Sequence, residues 1–540
     1  SRQQTAVGAR GAPGPPASLA RGAAATLASP LAVPAVDPGA IAGIVRAECG
    51  RVSGYSVDRL RDTETLTGEL GFDSMMLSDL FGGLMRKLPG LQVDPSWPSA
   101  ATTLGDVVDY VTSQVVGTPA PAPAVPAPAP VPEPAPVAVT PEYRIADFSE
   151  VKAIEDRLAG AAALGLDNPY FLVNDGVTRD TSLIDGVPVV NFSSYNYLGL
   201  SGHPAVVAAV QDSVARYGSS CSASRVLSGE KPVHRELEAE LATLLGTEDA
   251  IALVGGHSTN VTIIGHLVGP DDLVIHDSLA HDSILQGCVL SGATRRPFPH
   301  NDHAALDRLL GELRHRYRRV LILIEGVYSQ DGDIPDLPAI IEIKKKHQAL
   351  LMIDEAHSIG VLGAHGGGIG EYFAVDRRDV ELWSGTMSKA LAGCGGYVAG
   401  SAELIRFLKY TTPGFVYSVG MTPMNAAASA EAIRQLRADG TPLQRLRHNA
   451  RLFLELARAA GIDTGDSHDT PIIPCIVGDS LKTMRLSNTL LRRGINVNPI
   501  IYPAVPEDLA RLRFFVTACH TEEQIRDTVA VLAEELAASA

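Results

Sequence analysis

The segment SGTMSK at residues 384–389 directly follows a strand-like apolar pattern, and the segment DEAH at residues 354–357 ends an apolar run at residues 350–353. Further apolar runs of strand length lie at residues 251–254, 272–275 and 320–324. Amphipathic helical stretches separate these runs, and such alternation is typical of a mainly parallel sheet with helices on its faces. We therefore predict an α/β fold from residue 142 onwards.

Two side chains in these segments, Asp354 and Lys389, indicate a pyridoxal phosphate site. A lysine amine can hold the cofactor aldehyde as a Schiff base, and an aspartate can pair with the ring nitrogen. A carboxylate beside that nitrogen raises its pKa, so the protonated ring can accept electrons from the α-carbon of an amino acid. Because a buried lysine in such a segment rarely has only a structural role, we predict that Lys389 is catalytic.

The composition limits the other classes of function. A chain of 540 residues with 45% apolar residues is expected to form two or three domains with buried cores. The net charge of −16 argues against nucleic acid and anionic membrane surfaces as partners. The six cysteines are scattered without a C-x-x-C or zinc spacing, so we expect reduced thiols and no metal site. We find no membrane-length apolar run and no signal peptide pattern, and we expect a cytoplasmic protein.

We predict four regions along the chain. Residues 1–36 are rich in Ala, Pro and Gly and form a flexible lead-in. Residues 37–116 form a small helical domain, and residues 117–141 form a linker dominated by Pro, Ala and Val. This composition favours polyproline II structure, in which about 20 residues span on the order of 60 Å. Residues 142–540 form the catalytic module.

Ser74 lies in LGFDSMML, residues 70–77, near the start of a predicted helix. The helical segments of the small domain are 38–48, 73–87 and 104–115, and Thr102-Thr103 is a candidate cap for the last. A helix N-terminus favours anionic groups, so a phosphodiester on Ser74 would be stabilised there. An ordinary helix cap is the alternative. The region resembles an acyl carrier protein of the polyketide synthase type, which implies a four-helix domain, a covalent 4′-phosphopantetheine arm on Ser74 and a phosphopantetheinyl transferase as partner.

The catalytic module carries six motifs in order. They are NFSSYNYLGL at 191–200, SASRVLSGE at 222–230, EGVYSQDGD at 325–333, DEAHSIG at 354–360, GTMSK at 385–389 and RLRFFVTACHT at 511–521. This ordered set resembles the α-oxoamine synthase family of fold-type I pyridoxal phosphate enzymes, whose members include 8-amino-7-oxononanoate synthase, 5-aminolevulinate synthase and serine palmitoyltransferase. The resemblance implies a large domain with a mainly parallel sheet, a smaller α+β C-terminal domain, and a homodimer.

The resemblance also implies roles for single residues. Lys389 would hold the cofactor and then shuttle the α-proton. His281 would stack on the cofactor ring, and His357 would contact the ring hydroxyl. Ser329 would line the same pocket. Arg513 would bind the carboxylate of the amino acid, for which a bidentate guanidinium is suited.

The cofactor phosphate is expected near Gly256 and His257, which precede a helix after the run at 251–254. Backbone N–H groups at such a position can bind a phosphate. Thr386, and in second place Ser388, would add hydroxyl donors. His257 occupies a position that is commonly aromatic in the family, so its own role is left open.

Four other residues near these motifs have less specific interpretations. His234 and His520 could belong to the site or could be ordinary packed or capping histidines. Tyr417 is expected to be a pocket-lining or core aromatic rather than a catalyst. Arg511 is expected to be a surface partner of Arg513.

Two departures from the family pattern bear on the amino acid substrate. The chain has Tyr195-Asn196 where the family often has two polar residues that include the carboxylate-contacting asparagine. This version is closer to serine palmitoyltransferase and leaves both positions open. Ser224 lies where 5-aminolevulinate synthase has a threonine that helps to restrict it to glycine. The smaller residue favours alanine, serine or another amino acid larger than glycine.

We predict a decarboxylative Claisen-type condensation between an amino acid and an acyl thioester on the arm of Ser74. The products would be CO2 and an α-amino ketone, and the step would offload a polyketide or acyl chain delivered by upstream enzymes. His281 would assist at the acyl carbonyl. Three alternatives remain, namely the same chemistry with a free acyl-CoA, a carrier region that acts only in docking, and an aminotransferase of the same fold.

Overall fold

The computed structural model describes residues 38–116, except residues 54, 56, 73, 89, 90, 94–96 and 100, together with residues 143–539. The predicted lead-in at 1–36 and the predicted linker at 117–141 therefore lie outside the described residues. All six cysteines are described and none of them forms a disulfide.

The small N-terminal region has three α-helices in its described part. They are α1 (Pro38–Ser53), α2 (Ser74–Lys87) and α3 (Leu104–Val116), and a single 3₁₀ turn lies at Val57–Arg59. Apolar side chains recur at helical spacing and meet in one buried core, namely Ile41 and Val45 of α1, Met76, Leu80 and Leu84 of α2, and Leu104, Val107 and Val111 of α3. The three helical segments predicted from the sequence are present, and α1 continues to Ser53.

Thr103 caps the start of α3. Its Oγ1 accepts the backbone N–H of Asp106 at 3.2 Å, and Asp106 Oδ2 accepts the backbone N–H of Thr103 at 2.8 Å. The hydrogen bonds from Thr103 lower the pKa of the Asp106 carboxyl. This reciprocal capping box satisfies two backbone donors that the helix itself cannot pair, and it confirms the cap predicted from the sequence.

Residues 143–539 contain fourteen α-helices and fourteen β-strands. The helices are α4 (Ser149–Ala163), α5 (Pro204–Tyr217), α6 (Pro232–Leu245), α7 (Gly256–Leu267), α8 (Asp282–Ser291), α9 (His303–Leu313), α10 (Leu337–His347), α11 (Ile369–Tyr372), α12 (Ala402–Thr411), α13 (Pro413–Val416), α14 (Pro423–Ala438), α15 (Thr441–Ala459), α16 (Ser480–Arg492) and α17 (Glu522–Ser539). The strands are β1 (Asn174–Asp175), β2 (Thr181–Ile184), β3 (Val187–Asn191), β4 (Asp249–Leu253), β5 (Leu273–Asp277), β6 (Thr294–Phe298), β7 (Val320–Glu325), β8 (Leu350–Asp354), β9 (Leu382–Thr386), β10 (Gly396–Gly400), β11 (Ile472–Ile476), β12 (Ile495–Asn496), β13 (Asn498–Ile500) and β14 (Arg511–Phe515).

The largest sheet has seven strands in the order β4-β10-β9-β8-β7-β5-β6. The five strands from β9 to β6 in this order are parallel, and β10 is antiparallel to both of its neighbours. Strands β7 and β9 are buried along their whole length because helices cover both faces of the sheet. The mainly parallel α/β sheet predicted from the apolar runs is confirmed.

The carboxyl ends of four neighbouring strands place polar residues at one edge of this sheet. Strand β5 ends at Asp277, β7 at Glu325, β8 at Asp354 and β9 at Thr386. Polar residues at the ends of parallel strands are typical of ligand sites in open α/β sheets. The edge therefore locates the candidate site before any single residue is considered.

A smaller C-terminal unit packs beside this sheet. Its antiparallel sheet has the order β11-β14-β13, and it packs with α15, α16 and α17 around a second apolar core. A four-stranded sheet of β1, β2, β3 and β12 connects it to the segment that precedes α5. The smaller α+β domain implied by the family resemblance is thus present, and β14 brings Arg513 to the junction.

Candidate active site

Eight of the predicted site residues line one cavity of about 190 Å3 at the carboxyl edge of the large sheet. They are Gly256, His257, His281, Asp354, His357, Thr386, Ser388 and Lys389. Tyr195, Asn260, Ser283 and Glu325 line the same cavity. A larger cavity of about 600 Å3 lies against α15 and contains none of the predicted residues. Chemistry rather than size therefore identifies the site.

Lys389 lies in the loop that follows β9, is partly buried and lines the cavity. Burial lowers the pKa of its amine to about 8. The charge of Arg513 lowers it further, whereas the charge of Asp354 acts in the opposite direction. A substantial share of the amine is therefore neutral near pH 8, which is the form that attacks an aldehyde or removes a proton.

The carboxylate of Asp354 is buried and faces the same cavity. Its Oδ2 accepts a hydrogen bond from Asn260 Nδ2 at 2.7 Å, and its Oδ1 accepts the backbone N–H of Ala356 at 2.9 Å. Among the described residues, neither oxygen forms an ion pair with a cationic side chain. An oriented carboxylate without a cation partner fits the ring nitrogen of pyridoxal phosphate, which becomes cationic on protonation.

Two imidazoles flank the cavity. Burial lowers the pKa of His281, and the charges of Lys389 and His257 add to this effect while Asp354 opposes it. Burial also holds the pKa of His357 well below its usual value. Both rings are therefore neutral at neutral pH, and a neutral imidazole can stack on or hydrogen-bond to a cofactor ring without a charge penalty.

His357 is held by two aromatic residues. Its Nδ1 lies 2.8 Å from the hydroxyl of Tyr197, which is fully buried. The ring lies parallel to that of Phe515, with centroids 6.3 Å apart. The sequence does not single out Tyr197, although it lies inside the motif at 191–200, because the motif itself does not show which of its residues face the site.

Gly256 and Thr386 form a cradle that a larger residue would fill. Gly256 is the first residue of α7, and a Cβ placed on it would lie 2.6 Å from Thr386 Oγ1. The Thr386 hydroxyl oxygen accepts the Ser388 backbone N–H at 3.2 Å, and its O–H donates to the Gly395 carbonyl at 2.9 Å. Free N–H groups at the start of a helix next to hydroxyl groups suit a phosphate, so this donor set fits pyridoxal phosphate.

Arg513 is anchored beside the cavity rather than in its wall. Its Nη1 donates to the Ser329 carbonyl at 2.9 Å and to Gln330 Oε1 at 3.1 Å, and its guanidinium lies 4.7 Å from the centroid of the Phe515 ring. Burial lowers the pKa of Arg513. Its buried Nε has no partner within the described structure. Ser329, which the resemblance places in the pocket, is not among the residues that line the cavity. It is 9% exposed and contacts Arg513 through its backbone carbonyl.

Two sequence expectations were wrong. Arg511 is buried instead of lying at the surface, and it forms an ion pair with Asp331 rather than a pair with Arg513. Tyr417 is 87% exposed instead of belonging to the core or to the cavity lining. Alternation along β14 does not reveal which face is covered, because the covering residues come from distant segments.

His234 and His520, for which the sequence leaves two interpretations, both make structural contacts. His234 Nδ1 accepts the Lys231 backbone N–H at 3.1 Å at the start of α6, and the ring is fully buried. His520 stacks on Phe192, with centroids 4.3 Å apart, and burial lowers its pKa to about 4. The packed or capping interpretation of these two residues fits their contacts.

The three residues at the departures from the family pattern, Tyr195, Asn196 and Ser224, differ in whether they face the cavity. Asn196 is buried, and its amide pairs with backbone groups of Thr178 and Ser201. Tyr195 instead lines the cavity, and its ring centroid lies 5.8 Å from Lys389 Nζ. The Ser224 hydroxyl donates to a backbone carbonyl outside the cavity lining. Tyr195 is thus the residue of this set that faces the site.

Ser74 is the first residue of α2 in the N-terminal region. The preceding Gly71 has a φ of +68°, which favours glycine, and Phe72 is buried in the core of the region. This turn brings the chain into the helix at the residue predicted to carry the phosphopantetheine arm.

The described residues show no group of three or more His, Cys, Asp or Glu side chains able to hold a metal ion. Within residues 38–116 and 143–539 as described, no helix combines the length and the apolar character needed to cross a membrane.

Comparison with known proteins gives two family matches. Residues 187–532 match the model for aminotransferase class I and II, and residues 43–111 match the model for a phosphopantetheine attachment site. The chain is 42% identical to the 8-amino-7-oxononanoate synthase of Symbiobacterium thermophilum over 66% of its own length and 90% of the relative. It is also 42% identical to the corresponding synthase of Geobacter sulfurreducens, over 65% and 89% of the two chains.

Solved structures give the same assignment. Serine palmitoyltransferase of Sphingomonas wittichii is 31% identical, with a TM-score of 0.70 over 72% of this chain and 98% of that one. The enzyme of S. paucimobilis, solved with a bound pyridoxal phosphate–myriocin aldimine, is 29% identical with the same TM-score and coverage. The chain therefore belongs to the α-oxoamine synthase family of pyridoxal phosphate-dependent acyltransferases, within the class I and II aminotransferases, and it carries a phosphopantetheine attachment domain ahead of its catalytic region.

Proposed function

We propose that this protein condenses an amino acid with an acyl group carried on the phosphopantetheine arm of its own Ser74, with loss of CO2. The observation that carries the proposal is that one chain holds both a phosphopantetheine attachment domain and an α-oxoamine synthase region. A carrier in the same chain gives the acyl donor an effective concentration on the order of millimolar at the site. The proposed boundaries are 37–116 for the carrier, 117–141 for the linker and 142–540 for the catalytic module.

The residues in the cavity divide the work of this reaction. Bound pyridoxal phosphate supplies the electron sink for the α-carbon of the amino acid. Gly256, with the N–H groups at the start of α7, and Thr386 would hold its phosphate. Asp354 would pair with its ring nitrogen, and His357 would contact its ring hydroxyl.

Lys389 removes the α-proton of the amino acid, because its amine has a pKa of about 8 and lies in the cavity wall. The α-carbon then attacks the thioester carbonyl, and the C–C bond forms as the C–S bond breaks. The arm leaves as a thiolate and takes a proton from solvent. His281 assists by donating a hydrogen bond to the carbonyl oxygen, which carries the developing negative charge.

Arg513 binds the carboxylate of the amino acid before that group leaves as CO2. Its guanidinium is fixed by Ser329 and Gln330 through Nη1, and its Nε has no partner among the described residues, so the guanidinium keeps a donor for the substrate. Lys389 then returns a proton to the α-carbon, and an α-amino ketone is released. The acyl chain is thereby offloaded from the carrier, as at the end of a polyketide or related assembly line.

We also propose that the protein works as a homodimer. Helix α4 has no buried residue, although Ile154 and Leu158 lie on one of its faces and are each about half exposed. A helix of 15 residues without a packed face is marginal by itself. Sedimentation should show a dimer, and Ile154→Asp with Leu158→Asp should weaken it, whereas a wild-type monomer would contradict this assignment.

The central experiment is intact mass spectrometry of the full chain after phosphopantetheinylation and loading with a short acyl group. Single amino acids are then added. The acyl mass should disappear with one amino acid, and the Lys389→Ala protein should keep it. The Ser74→Ala protein should not accept the arm.

Free acyl-CoA serves as the competing donor in the same assay. If Ser74→Ala with acyl-CoA forms the amino ketone as fast as the loaded wild type does, delivery by the carrier is contradicted while the condensation stands. If the arm is never attached, the carrier region acts only in docking.

A further inference from the structure

A chain of hydrogen bonds behind the cavity connects Asp354 with His281. Asn260 Nδ2 lies 2.7 Å from Asp354 Oδ2 and 2.9 Å from Ser283 Oγ. Ser283 Oγ in turn lies 2.8 Å from His281 Nδ1. On its other side, Asn260 Oδ1 lies 2.8 Å from Ser384 Oγ. Asn260, Ser283, Asp354 and Ser384 belong to α7, α8, β8 and β9, and His281 caps the start of α8. Asn260 is only 3% exposed.

The direction of every bond in this chain follows from the chemistry of its members. An ionised carboxylate only accepts hydrogen bonds, so the Asn260 amide must present its NH2 group to Asp354. The two amide hydrogens are then used on Asp354 and Ser283, and the amide oxygen accepts the hydroxyl of Ser384. The orientation of the Asn260 amide is fixed on three sides.

The same reasoning continues to His281. The Ser283 hydroxyl oxygen accepts from Asn260, so its single hydrogen is available for His281 Nδ1. The backbone N–H of Ser283 also points to Nδ1, at 3.2 Å. A ring nitrogen that receives two hydrogen bonds carries no proton, so the neutral imidazole must carry its proton on Nε2. The backbone N–H of His281 donates to Glu325 Oε1 at 2.7 Å, and this bond fixes the main chain to which the imidazole is attached.

We propose that Asn260 is a positioning residue with two targets. It orients the Asp354 carboxylate, and through Ser283 it holds His281 as the tautomer with hydrogen on Nε2. That tautomer can donate a hydrogen bond to an acyl carbonyl oxygen, whereas the other tautomer would present a lone pair and repel it. The buried amide of Asn260 thus orients both the carboxylate of Asp354, which would contact the cofactor ring, and the imidazole of His281, which would contact the acyl donor.

The tautomer can be measured on the protein without cofactor by NMR of [15N]histidine, with the signals of His281 assigned from the His281→Asn protein. In the wild type, Nδ1 should show the shift of an unprotonated ring nitrogen and Nε2 that of a protonated one. Ser283→Ala should allow the Nδ1-protonated form to appear. Ser283→Thr keeps the hydroxyl and should retain the wild-type signals.

A second measurement uses pyridoxal phosphate labelled with 15N in its ring. Asn260→Ala should move the ring nitrogen signal towards the unprotonated form and weaken cofactor binding about tenfold, the usual effect of losing one charged hydrogen bond. Ser283→Ala leaves the Asp354 bond in place and should keep the ring nitrogen signal of the wild type. The two variants therefore separate the two targets.

Asn449 provides a matched control. It is buried like Asn260 and donates to the carbonyls of Thr517 and His520, away from the cavity. Asn449→Ala should lower stability but leave the signals of His281 and of the ring nitrogen unchanged. A wild-type His281 protonated on Nδ1, or an Asn260→Ala protein with unchanged signals, would overturn the proposal. The role of the Nε2 hydrogen in turnover rests on the proposed function, but the NMR signals do not, so the two can fail separately.

Discussion

Glu325 and Asp354 are register partners on the adjacent parallel strands β7 and β8, and both side chains are buried at the carboxyl edge of the sheet. Two ionised carboxylates in such a position repel each other. Burial raises the pKa of Glu325 well above its usual value, and the charge of Asp354 raises it further. Glu325 is therefore the neutral member of the pair and serves as a hydrogen-bond acceptor for the backbone N–H of His281.

The first prediction is that Glu325→Gln is nearly silent for cofactor binding, because the amide oxygen still accepts the His281 N–H and no charge is lost. Glu325→Leu removes the acceptor and should weaken pyridoxal phosphate binding about tenfold. Absorbance titration with the cofactor measures both. Equal losses in the two variants would mean that the charge of Glu325, rather than its acceptor, matters.

The raised pKa of Glu325 also has a consequence for stability. The unfolded chain loses this proton near pH 4.3, whereas the folded protein holds it to higher pH. The free energy of unfolding of the wild type should therefore fall relative to Glu325→Gln as the pH rises above about 4.3. Urea unfolding of the two proteins at pH 5 and at pH 7 tests whether the free energy of unfolding of the wild type falls relative to that of the variant.

The second prediction concerns the pKa of about 8 at Lys389. Only the neutral amine reacts with the cofactor aldehyde, so the rate of association should rise about tenfold per pH unit below pH 8 and level off above it. Stopped-flow absorbance on the cofactor-free protein measures this profile. A midpoint near 10.5, the ordinary value for lysine, would contradict the burial of the amine.

The third prediction concerns His300, whose ring lies between two buried carboxylates. Its Nδ1 is 2.9 Å from Asp277 Oδ1, and its Nε2 is 2.9 Å from Asp333 Oδ2. Burial lowers the pKa of His300, but the bonds to Asp277 and Asp333 outweigh this and raise it to about 11. The imidazolium thereby ties the loop before His281 to the loop that contains Ser329.

Because the folded pKa of His300 exceeds the unfolded value of about 6.5, its stabilisation is complete below that pH and is lost as the pH rises towards 11. His300→Gln should lower the free energy of unfolding at pH 6 by about 3 kcal/mol, because two buried carboxylates lose their cation. The difference from wild type should shrink at pH 9. An equal difference at the two pH values would show that packing, not charge, is lost.

The fourth prediction is that Gly256→Ala impairs cofactor binding by at least about tenfold. The new Cβ would lie 2.6 Å from Thr386 Oγ1 and 2.7 Å from Thr386 Cβ, so the cradle at the start of α7 must open. Gly440→Ala is the control, because no atom of the described residues lies within 4 Å of a Cβ there and its φ of −75° suits any residue. Isothermal titration with pyridoxal phosphate should distinguish the two variants.

Much of the fold and part of the site could be read from the chain alone. Apolar runs at 320–324 and 350–353 became parallel strands because a strand covered on both faces must be apolar throughout. Asp354 ends β8 and Lys389 lies in the loop just after β9, so their place at the carboxyl edge was predictable. Arg511 and Tyr417 were misplaced, because the exposure of a side chain depends on segments that the local pattern does not contain.

By itself, therefore, the sequence determined the α/β class, the order of the two modules and the ordered motifs that place the chain in its family. Each of these rests on local spacing or on composition. Only the tertiary structure decided that Asn260 bonds to Asp354, that Ser283 bonds to His281 and that Glu325 is buried beside Asp354. The physical reason is that these groups lie on different helices and strands, and the direction and strength of a hydrogen bond depend on distances that packing alone sets.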